Sequence, residues 1–409
     1  MSRPSRIVVV GASAAGLTAA EALRRDGFTG SLTLVGAERR EPYDRPPLSK
    51  QILLGRWAPD RVTLRRHEGR VALGADWRLG VAATALDTGA RELALSDGGV
   101  LPYDGLVIAT GVVPRRLPSG HELGGVHVLR TLDDALALRE GLRAARSVVV
   151  VGAGFLGTEV AAVARRLGLD VTLVDPLPAP LIDRLGDRVA RLLAGLHAGH
   201  GVRLRPGTRV TGLTGHDGQV TGVDLDGGAH VPADLVLVAV GSAPATGWLT
   251  GSGLDVEDGV KCDHRCRAAP GVVAAGDVAS WWHPRFGRLR LEHRLNATEQ
   301  GTAAARTLLG GETPFAPVPY FWTDQYDVKI QVHGVTGGDA RFRVVAGDPA
   351  TGRFAGLYGR DGHVIGAMTW NLPRQARELR RHVAERTPWR QAPAARAHSR
   401  TSPAQAQNR

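Results

Sequence analysis

The sequence predicts an α/β fold in which two similar units with parallel sheets are followed by a smaller α+β domain. One pattern occurs twice, at Gly11 and again 141 residues later at Gly152: an apolar strand, a glycine-rich turn, a helix and a strand that ends in an acidic residue. Residues 318–371 instead carry alternating strand patterns without a glycine turn. Alternating strands and helices indicate parallel sheets, and 409 residues are enough for two or three domains.

The first unit opens with the strand "RIVVVG" and the turn "GASAAG", in which Gly11 and Gly16 occupy the outer glycine positions. Ser13 stands where the pattern G-x-G-x-x-G has its second glycine. The next strand, "SLTLVGAE", ends in Glu38, 27 residues after Gly11, whereas about 20 is usual. Because serine is small, we expect this turn to be slightly tighter than a complete one but still able to bind its ligand.

The second unit has all three glycines, Gly152, Gly154 and Gly157, and its next strand ends in Asp175, 23 residues after Gly152. In such turns the first glycine allows a sharp bend, the second admits a pyrophosphate and the third lets helix and strand pack closely. The helix N-terminus then faces the phosphates. Both units are therefore predicted to be Rossmann-like dinucleotide-binding domains. Two dinucleotides in one chain indicate a flavin and a nicotinamide cofactor that exchange electrons.

The acidic residues at the strand ends predict the choice of dinucleotide. Glu38 and Asp175 can each accept a hydrogen bond from a ribose 2′-OH, and Asp175 would repel a 2′-phosphate, which favours NADH over NADPH. Arg184 lies close enough in sequence to weaken that preference. Asp277, in "VVAAGDVA", is either a ligand of a flavin ribityl chain or a helix N-cap, and the two roles are compatible.

The composition argues against several other classes of protein. The first residues, "MSRPSR", lead straight into a strand, and no apolar run approaches the ~18 residues of a membrane span, so a cytoplasmic protein without membrane contact is expected. Cys262 and Cys266 lack a second Cys/His pair nearby, which predicts free thiols and no metal. The net charge is +11, and 48 of the 51 basic residues are arginine. No nucleic-acid-binding motif accompanies them, so an acidic protein partner is one explanation, and a solubility feature or a flexible basic tail is the other.

Six stretches together resemble the FAD-dependent ferredoxin reductases of bacterial oxygenase systems, the putidaredoxin reductase and rhodocoxin reductase type of glutathione-reductase-like flavoprotein. They are "EPYDRPPLSKQIL", "GLVIATGVVPR", "VVVVGAGFLGTEVA", "GVVAAGDVASWWHP", "LEHRLNATEQG" and "VPYFWTDQYDVKIQ". The resemblance implies two Rossmann-like dinucleotide-binding domains plus a smaller α+β C-terminal interface domain. The expected boundaries are 1–112 and 242–317 for the FAD-binding domain, 113–241 for the NAD-binding domain and 318–388 for the interface domain, with 389–409 as a disordered basic tail.

The resemblance also implies the site residues. Noncovalently bound FAD is expected to contact Gly11, Ser13, Ala14, Ala15, Gly16, Glu38, Arg45, Lys50, Ala109, Thr110, Gly111, Gly276, Asp277 and Trp322. NADH is expected to contact Gly152, Gly154, Phe155, Leu156, Gly157, Asp175 and Arg184. Catalytic roles are implied for Lys50 and Glu159, which would meet beside the flavin and nicotinamide rings, and for Trp322 near the isoalloxazine. Two departures are Ser13 and Arg294, which stands where relatives commonly carry tryptophan.

The route of the electrons follows from a missing motif. Disulfide reductases of the wider fold place a C-x-x-x-x-C pair after the first unit's second strand, but "PYDRPPLSKQILLG" contains no cysteine. Reduced flavin therefore cannot pass electrons through thiol exchange. Electrons are therefore expected to leave the flavin directly for an external acceptor. The resemblance implies that NADH reduces FAD and that electrons pass singly to an acidic 2Fe-2S ferredoxin, which feeds an oxygenase, with a cytochrome monooxygenase expected. Rubredoxin, quinone or small-molecule acceptors remain alternatives, as does a redox-dependent interaction protein resembling apoptosis-inducing factor.

Overall fold

The computed structural model describes residues 4–65 and 67–394, and its first sheet is built from two separate parts of the chain. The six strands lie in the order Arg267–Ala269, Val272–Ala274, Gly105–Ile108, Arg6–Val10, Ser31–Gly36 and Asp76–Leu79. All neighbouring strands are parallel except the first pair. The central strand, "RIVVV", is β-branched and buried from Ile7 onward, which is typical of a parallel sheet.

The second sheet is parallel throughout and repeats this arrangement. Its five strands lie in the order Arg203–Pro206, Asp170–Asp175, Ser147–Val151, Leu235–Val238 and Val126–His127. The third large sheet is antiparallel, in the order Tyr320–Gln325, Val328–Gly334, His363–Trp370, Arg353–Arg360 and Arg341–Asp348. The predicted class, two parallel α/β units and a smaller α+β domain, is therefore observed.

Smaller sheets complete the strand framework. They comprise Ala83–Asp87 with Glu92–Leu95 and Val100–Pro102; Val112–Pro114 with Ser242–Pro244; Val210–His216 with Gln219–Leu225 and His230–Pro232; and Val260–Cys262 with Ala279–His283 and Gly287–Leu289. The pair Val112–Pro114 and Ser242–Pro244 joins the chain as it leaves and re-enters the first unit.

The helices pack against these sheets. The α-helices of the described residues are α1 (Ala14–Arg25), α2 (His67–Val71), α3 (Leu132–Ala144), α4 (Phe155–Arg166), α5 (Ile182–Leu185), α6 (Asp187–Gly199), α7 (Arg294–Leu308) and α8 (Pro373–Ala384). A π-helical turn spans Leu48–Ile52, and short 3₁₀ turns span Pro59–Val62, Asp226–Gly228, Gly247–Leu249, Gly276–Val278 and Pro349–Thr351. Within the described part of the chain, no helix combines the length and the apolar character that a membrane crossing requires.

The C-terminal sheet is fastened to the second unit by an apolar cluster. Leu185, Val189 and Leu193 of the α5–α6 region are buried against Ile330 and Phe354 of the sheet. Burial of this many aliphatic and aromatic side chains at about 25 cal/mol per Å² holds the two bodies together. This packing fixes the position of the C-terminal sheet relative to the second unit, and with it the position of the site residues that each contributes.

The first residues of the predicted tail belong to the C-terminal domain. Trp389 lies over the guanidinium of Arg343, with 4.3 Å between the Arg343 Cζ and the ring centroid, and Arg343 donates hydrogen bonds of 3.0 Å to the carbonyls of Trp389 and Ala392. Ala392 is buried. The expected disorder from residue 389 is therefore wrong for 389–392, because an aromatic anchor and a backbone clamp order them. The remainder of the predicted tail, 395–409, lies outside the described residues.

Candidate functional site

The outer glycines of both turns are required by the protein's own backbone. Gly11 and Gly152 have φ of +111° and +106°, and an added Cβ would lie 2.1 and 2.3 Å from the carbonyl oxygen of the facing strand end. At Gly16 and Gly157 a Cβ would lie 1.8 and 1.9 Å from the carbonyl oxygen of the first glycine of the same turn. Both contacts are far inside van der Waals distance, so glycine is needed for the bend and for close packing of helix and strand.

The middle position of the turn is different, and this accounts for Ser13. An added Cβ at Gly154 would meet no atom within 4 Å. Ser13 and Gly154 are the N-cap residues of α1 and α4, with φ of −95° and −71°, which any residue can adopt. Protein packing therefore does not demand glycine here. Only a ligand that crosses the helix N-terminus does, so the fold tolerates the serine.

Replacing Gly154 by alanine is expected to raise the KM for NADH about tenfold without unfolding the protein, because the methyl group meets no protein atom within 4 Å and would project toward the expected position of the pyrophosphate. Gly157→Ala is the matched variant, since its Cβ would clash with the Gly152 carbonyl oxygen at 1.9 Å and should prevent folding. Thermal unfolding and NADH titration of both variants separate the two effects. An unchanged KM in G154A would show that NADH does not cross this turn.

Asp175 is folded back onto the second turn. Its carboxylate accepts hydrogen bonds from the backbone N–H of Ala153 at 2.6 Å and of Leu177 at 2.8 Å. A carboxylate has about four lone-pair sites, so capacity remains for a ribose hydroxyl. The small cleft beside Asp175, at the carboxyl ends of the second sheet, is lined by Arg205 on the neighbouring strand. Sequence reasoning missed Arg205, because its position is decided by the pairing of two strands whose partner residues are 31 positions apart.

The structure does not bring Arg184 to this cleft. Arg184 lies on α5, is largely exposed and forms an ion pair with Asp183 at 3.2 Å. It is not among the described residues that line the cleft beside Asp175. Its positive charge instead helps to lower the pKa of His293, the residue before α7. The arginine that could contact a 2′-phosphate is therefore Arg205.

At the first unit, acidic and basic residues form one connected cluster. Arg45 donates to Glu38 at 2.6 Å and to the carbonyl of Arg130 at 2.6 Å, and the Tyr43 hydroxyl donates to Glu38. Arg130 in turn donates to Asp277 at 3.0 Å. Burial raises the pKa of Tyr43, so its hydroxyl keeps its proton. The cluster carries two cationic and two anionic side chains at the strand ends, where a dinucleotide's ribose and phosphates bind in this fold.

Arg130 was not predicted from the sequence. Its side chain reaches Gly111, where an added Cβ would lie 3.0 Å from the guanidinium. The residue precedes the capping box of Thr131 and Asp134, a local signal that locates the start of α3 but not the direction of the arginine. Its contact with Asp277 spans 147 residues, which no local pattern reveals.

Several predicted FAD ligands shape the cradle through their backbone. The Ala109 carbonyl oxygen faces Gly11, and the Thr110 hydroxyl donates to the Ala245 carbonyl at 2.9 Å. Gly276 has φ of +78°, and its missing Cβ would lie 2.9 Å from the Cβ of Ala15. This part of the site is therefore built from close backbone approaches between α1, the strand end at 109–111 and the 3₁₀ turn at Asp277.

The residues present fit FAD. Two helix N-termini, α1 and α7, and the Arg130 guanidinium offer donors for an anionic group. Within the described residues, the side-chain nitrogen Nδ1 of His293, the residue before α7, is buried without a hydrogen-bond partner. Burial lowers the pKa of His293 to about 4, so it is neutral at physiological pH. Buried polar atoms without partners are costly, and a cofactor's heteroatoms are suited to satisfy them.

Lys50 and Glu159 meet at the junction of the domains, as expected. Lys50 Nζ lies 2.7 Å from Glu159 Oε2, and the side chains are 12% and 8% exposed. The Ser49 hydroxyl donates to the same oxygen at 2.5 Å, and the Thr323 hydroxyl donates to the other oxygen at 2.7 Å. Lys50 also donates to the Pro46 carbonyl at 3.1 Å. The carboxylate of Glu159, on the second unit, therefore has three side-chain donors, two from the first unit and one from the C-terminal sheet.

Trp322 lies on the strand Tyr320–Gln325, but on the face opposite to this pair. Side chains alternate along a strand, so Phe321 and Thr323 face α4 while Trp322 shares the other face with Tyr320, at a ring-centroid distance of 6.0 Å. Phe321 packs edge-on against Phe155 at 4.9 Å. Phe155 and Leu156 begin α4 directly after the second turn. The structure thus brings Thr323, which sequence reasoning missed, to Glu159, and places Trp322 apart from it.

Arg294 pairs with a carboxylate at the start of α7. It is the first residue of α7 and donates to the carboxylate of Asp44 and to the hydroxyl of Thr298. The ion pair ties the start of α7 to the loop that carries Arg45.

The two cysteines are separate from this site. Both are buried in the apolar core of the first unit. Burial raises the pKa of Cys262 to about 12 and that of Cys266 further above its usual range, so neither forms a reactive thiolate. No group of three or more potential metal ligands occurs among residues 4–65 and 67–394.

Comparison with known proteins agrees with this geometry. The chain matches the pyridine nucleotide-disulphide oxidoreductase family over residues 5–301 and the reductase C-terminal family over 320–402. A ferredoxin–NAD(P)⁺ reductase from Sphingomonas sp. is 39% identical over 369 residues, 88% of either chain. The ferredoxin–NAD⁺ reductase component of the anthranilate 1,2-dioxygenase system of Burkholderia cepacia is 39% identical over 382 residues, 92% of this chain and 93% of the relative.

Among solved structures, a chain of the covalent putidaredoxin reductase–putidaredoxin complex superimposes with a TM-score of 0.90, at 33% identity and over 94% of each chain. The match covers both parallel units and the C-terminal sheet. It confirms the predicted fold and the resemblance to the reductases of bacterial oxygenase systems. The chain belongs to the pyridine nucleotide-disulphide oxidoreductase family and is an oxidoreductase whose cofactors are FAD and a nicotinamide dinucleotide.

Proposed function

We propose that this protein oxidises NADH and passes the electrons singly to an acidic [2Fe–2S] ferredoxin that serves an oxygenase. The observation that carries the proposal is the buried Lys50–Glu159 pair, 2.7 Å apart, at the junction of two dinucleotide folds, in a chain whose cysteines are buried elsewhere. FAD, when bound, accepts hydride from NADH and returns the two electrons one at a time. The related reductases from Sphingomonas and Burkholderia are named for ferredoxin as their partner.

The chain's own residues would hold FAD through the first cluster. The N–H groups at the start of α1, next to Ser13, and the Arg130 guanidinium bind the pyrophosphate, while Glu38 and Asp277 accept hydrogen bonds from hydroxyl groups. Arg45 fixes the orientation of Glu38, to which it donates at 2.6 Å. The second turn, from Gly152 to Gly157, binds NADH in the same way.

Lys50 and Glu159 would balance charge beside the rings. The Lys50 ammonium stabilises the negative charge that reduction adds, and Glu159 compensates the lysine when that charge is absent. In a site this buried, a unit charge at 4 Å is worth about 4 kcal/mol at an effective dielectric constant of 20. The pair thus lowers the cost of the charge change without a proton transfer.

The choice of NADH over NADPH is assigned to Asp175. Asp175→Asn is expected to raise the ratio of kcat/KM for NADPH to that for NADH about tenfold, because the amide oxygen can still accept from the Ala153 N–H while the charge that repels a 2′-phosphate is lost. Steady-state kinetics with both nucleotides measure the ratio. Arg205→Ala is the companion variant and should lower NADPH use selectively. If wild-type protein already uses both equally, Arg205 overrides Asp175.

A ferredoxin would find a basic surface on α8. Arg374, Arg377, Arg380 and Arg381 are all exposed on this helix. The helix packs on the strands Val328–Gly334 and His363–Trp370 of the C-terminal sheet. Complementary charge speeds the encounter with an acidic partner.

The proposal is tested first on the purified protein under anaerobic conditions. It should bind FAD noncovalently, and NADH should bleach the flavin absorbance. Turnover is then measured with a panel of purified [2Fe–2S] ferredoxins, a rubredoxin, a quinone and a dye. Efficient reduction of quinone or dye with no ferredoxin reduced would favour a small-molecule reductase. NADH-dependent assembly without turnover of any acceptor would favour an interaction protein.

The downstream oxygenase is proposed to be a cytochrome monooxygenase. The fold match to the putidaredoxin system favours a small ferredoxin as the carrier, whereas the Burkholderia relative serves a dioxygenase system. Reconstitution with the preferred ferredoxin and either a cytochrome monooxygenase or an iron–sulfur dioxygenase separates the two classes by NADH-coupled product formation.

A further inference from the structure

A chain of buried hydrogen bonds extends from Glu159 away from Lys50. Thr323 donates to Glu159 Oε1 at 2.7 Å. Gln325 Nε2 lies 3.2 Å from the Thr323 hydroxyl and donates to the Thr158 hydroxyl at 2.9 Å. All four side chains are buried. The Lys50–Glu159 pair is therefore one end of a longer polar network within an otherwise apolar interior.

His197, on α6, continues the chain and fixes its direction. The Gln325 amide nitrogen already serves two hydroxyls, so its Oε1, 2.8 Å from His197 Nε2, must accept. His197 Nε2 therefore carries the proton, and Nδ1 accepts from the Tyr326 hydroxyl at 3.3 Å. His197 is fully buried, and this burial lowers its pKa to about 4, so the ring is neutral at physiological pH. In each hydrogen bond of this series, from the Tyr326 hydroxyl to the Glu159 carboxylate, the donor therefore lies on the Tyr326 side and the acceptor on the Glu159 side.

The far end of the chain reaches the protein surface. Tyr326 has a left-handed backbone, with φ of +54°, and stacks on His200 with 3.6 Å between the ring centroids and 13° between the planes. Both residues line an open groove between α6 and the C-terminal sheet. The series of hydrogen bonds thus starts at Lys50, passes through Glu159 on α4 and the strand Tyr320–Gln325, and ends at His197 on α6 and its neighbour Tyr326.

We propose that His197 and Gln325 are positioning residues that hold the Thr323 hydroxyl, and through it the Glu159 carboxylate, in the geometry that serves Lys50 during hydride transfer. The inference rests on the proposed function of the Lys50–Glu159 pair. Without the His197 N–H, the side-chain amide of Gln325 can rotate by half a turn and exchange the positions of its oxygen and nitrogen. The Thr323 hydroxyl can then donate to Gln325 Oε1 and leave Glu159 with fewer fixed donors.

Two substitutions at His197 test this. In His197→Gln the terminal amide can replace the Nε2–H donor, whereas His197→Leu has a similar volume but no donor. Because one hydrogen bond to a charged group is at stake, we expect H197L to slow anaerobic flavin reduction at saturating NADH about tenfold. The KM for NADH should stay within about twofold, and H197Q should keep most of the rate.

A matched variant controls for loss of a buried histidine. His283 is buried in the first unit and bonds the Pro317 carbonyl at 2.9 Å, away from the chain. His283→Leu should lower the unfolding temperature as H197L does but leave flavin reduction unchanged. Equal slowing by H283L, or a full rate in H197L, would overturn the proposal. Gln325→Leu should be as slow as H197L, and the double variant no slower than either.

A measurement on the unaltered protein needs neither activity nor a variant that folds. Nitrogen-15 NMR of the ring should show the proton of His197 on Nε2 and a neutral ring down to about pH 5. The Nδ1–H tautomer, or a ring that titrates near pH 6.5, would contradict the directed chain. If Lys50→Met leaves flavin reduction intact, the proposed function of the Lys50–Glu159 pair fails. If K50M slows reduction and H197L does not, only this inference fails.

Discussion

Replacing Lys50 by methionine is expected to slow the anaerobic reduction of bound FAD by NADH about a hundredfold. The ammonium is the cation paired with Glu159 at 2.7 Å, and both side chains are almost excluded from water. Its removal takes away the charge that offsets reduction and leaves a buried carboxylate without its counter-ion, which is costly. Stopped-flow absorbance of the flavin measures the rate directly.

Two companion variants identify the cause of the K50M effect. Lys329→Met removes a half-exposed lysine that lies 3.6 Å from Asp324, and it should leave the rate unchanged. The double variant K50M/E159Q removes both charges, so it should regain the folding stability that K50M loses while reduction stays slow. A rate in K50M within about twofold of the wild type would exclude the assigned role of the lysine.

Reversing the charge of two arginines on α8, Arg377→Glu with Arg381→Glu, is expected to lower second-order turnover with an acidic ferredoxin at least about tenfold at low salt. In the unaltered protein the same rate should fall steeply as the Debye length shrinks from about 10 Å at 0.1 M salt to about 3 Å at 1 M. Reduction of a small dye by NADH needs no docking and should hardly respond to either change.

The controls separate a docking face from net charge. Arg188→Glu with Arg191→Glu makes the same charge change on the exposed side of α6, and it should alter ferredoxin turnover much less. Removing residues 395–409 should leave the salt dependence in place. The cut must follow residue 394, because Ala392 is buried and its carbonyl accepts from Arg343. If second-order turnover with every ferredoxin were independent of salt concentration, electrostatic docking would be excluded.

Sequence reasoning succeeded where a local pattern and a contact coincide. The glycine spacing located both turns because the bend at Gly11 and the close packing at Gly16 are made within six residues of chain. Lys50 and Glu159 were found only through the family resemblance. Their meeting spans 109 residues, and nothing about an isolated lysine on a turn or glutamate on a helix indicates it.

The missed residues share one physical property. Arg130 reaches Asp277 across 147 residues, and Thr323 reaches Glu159 across 164. Such contacts depend on how one folded unit packs on another, which hydrophobic periodicity does not encode. The tail boundary failed for a related reason. Trp389 is the single aromatic residue of its segment, yet its contact with Arg343 and the hydrogen bonds of Arg343 to the Trp389 and Ala392 carbonyls anchor the segment to the sheet.

The position of Thr323 and Gln325 limits how this family can be recombined. These residues belong to the C-terminal sheet, yet they hydrogen-bond to Glu159 and Thr158 of the second unit. A chimera that exchanges the C-terminal domain to redirect electrons to another ferredoxin would also exchange part of the NADH-side site. Grafting should therefore spare the strand Tyr320–Gln325 and change only the outer face of α8, so that partner choice is altered while hydride transfer is preserved.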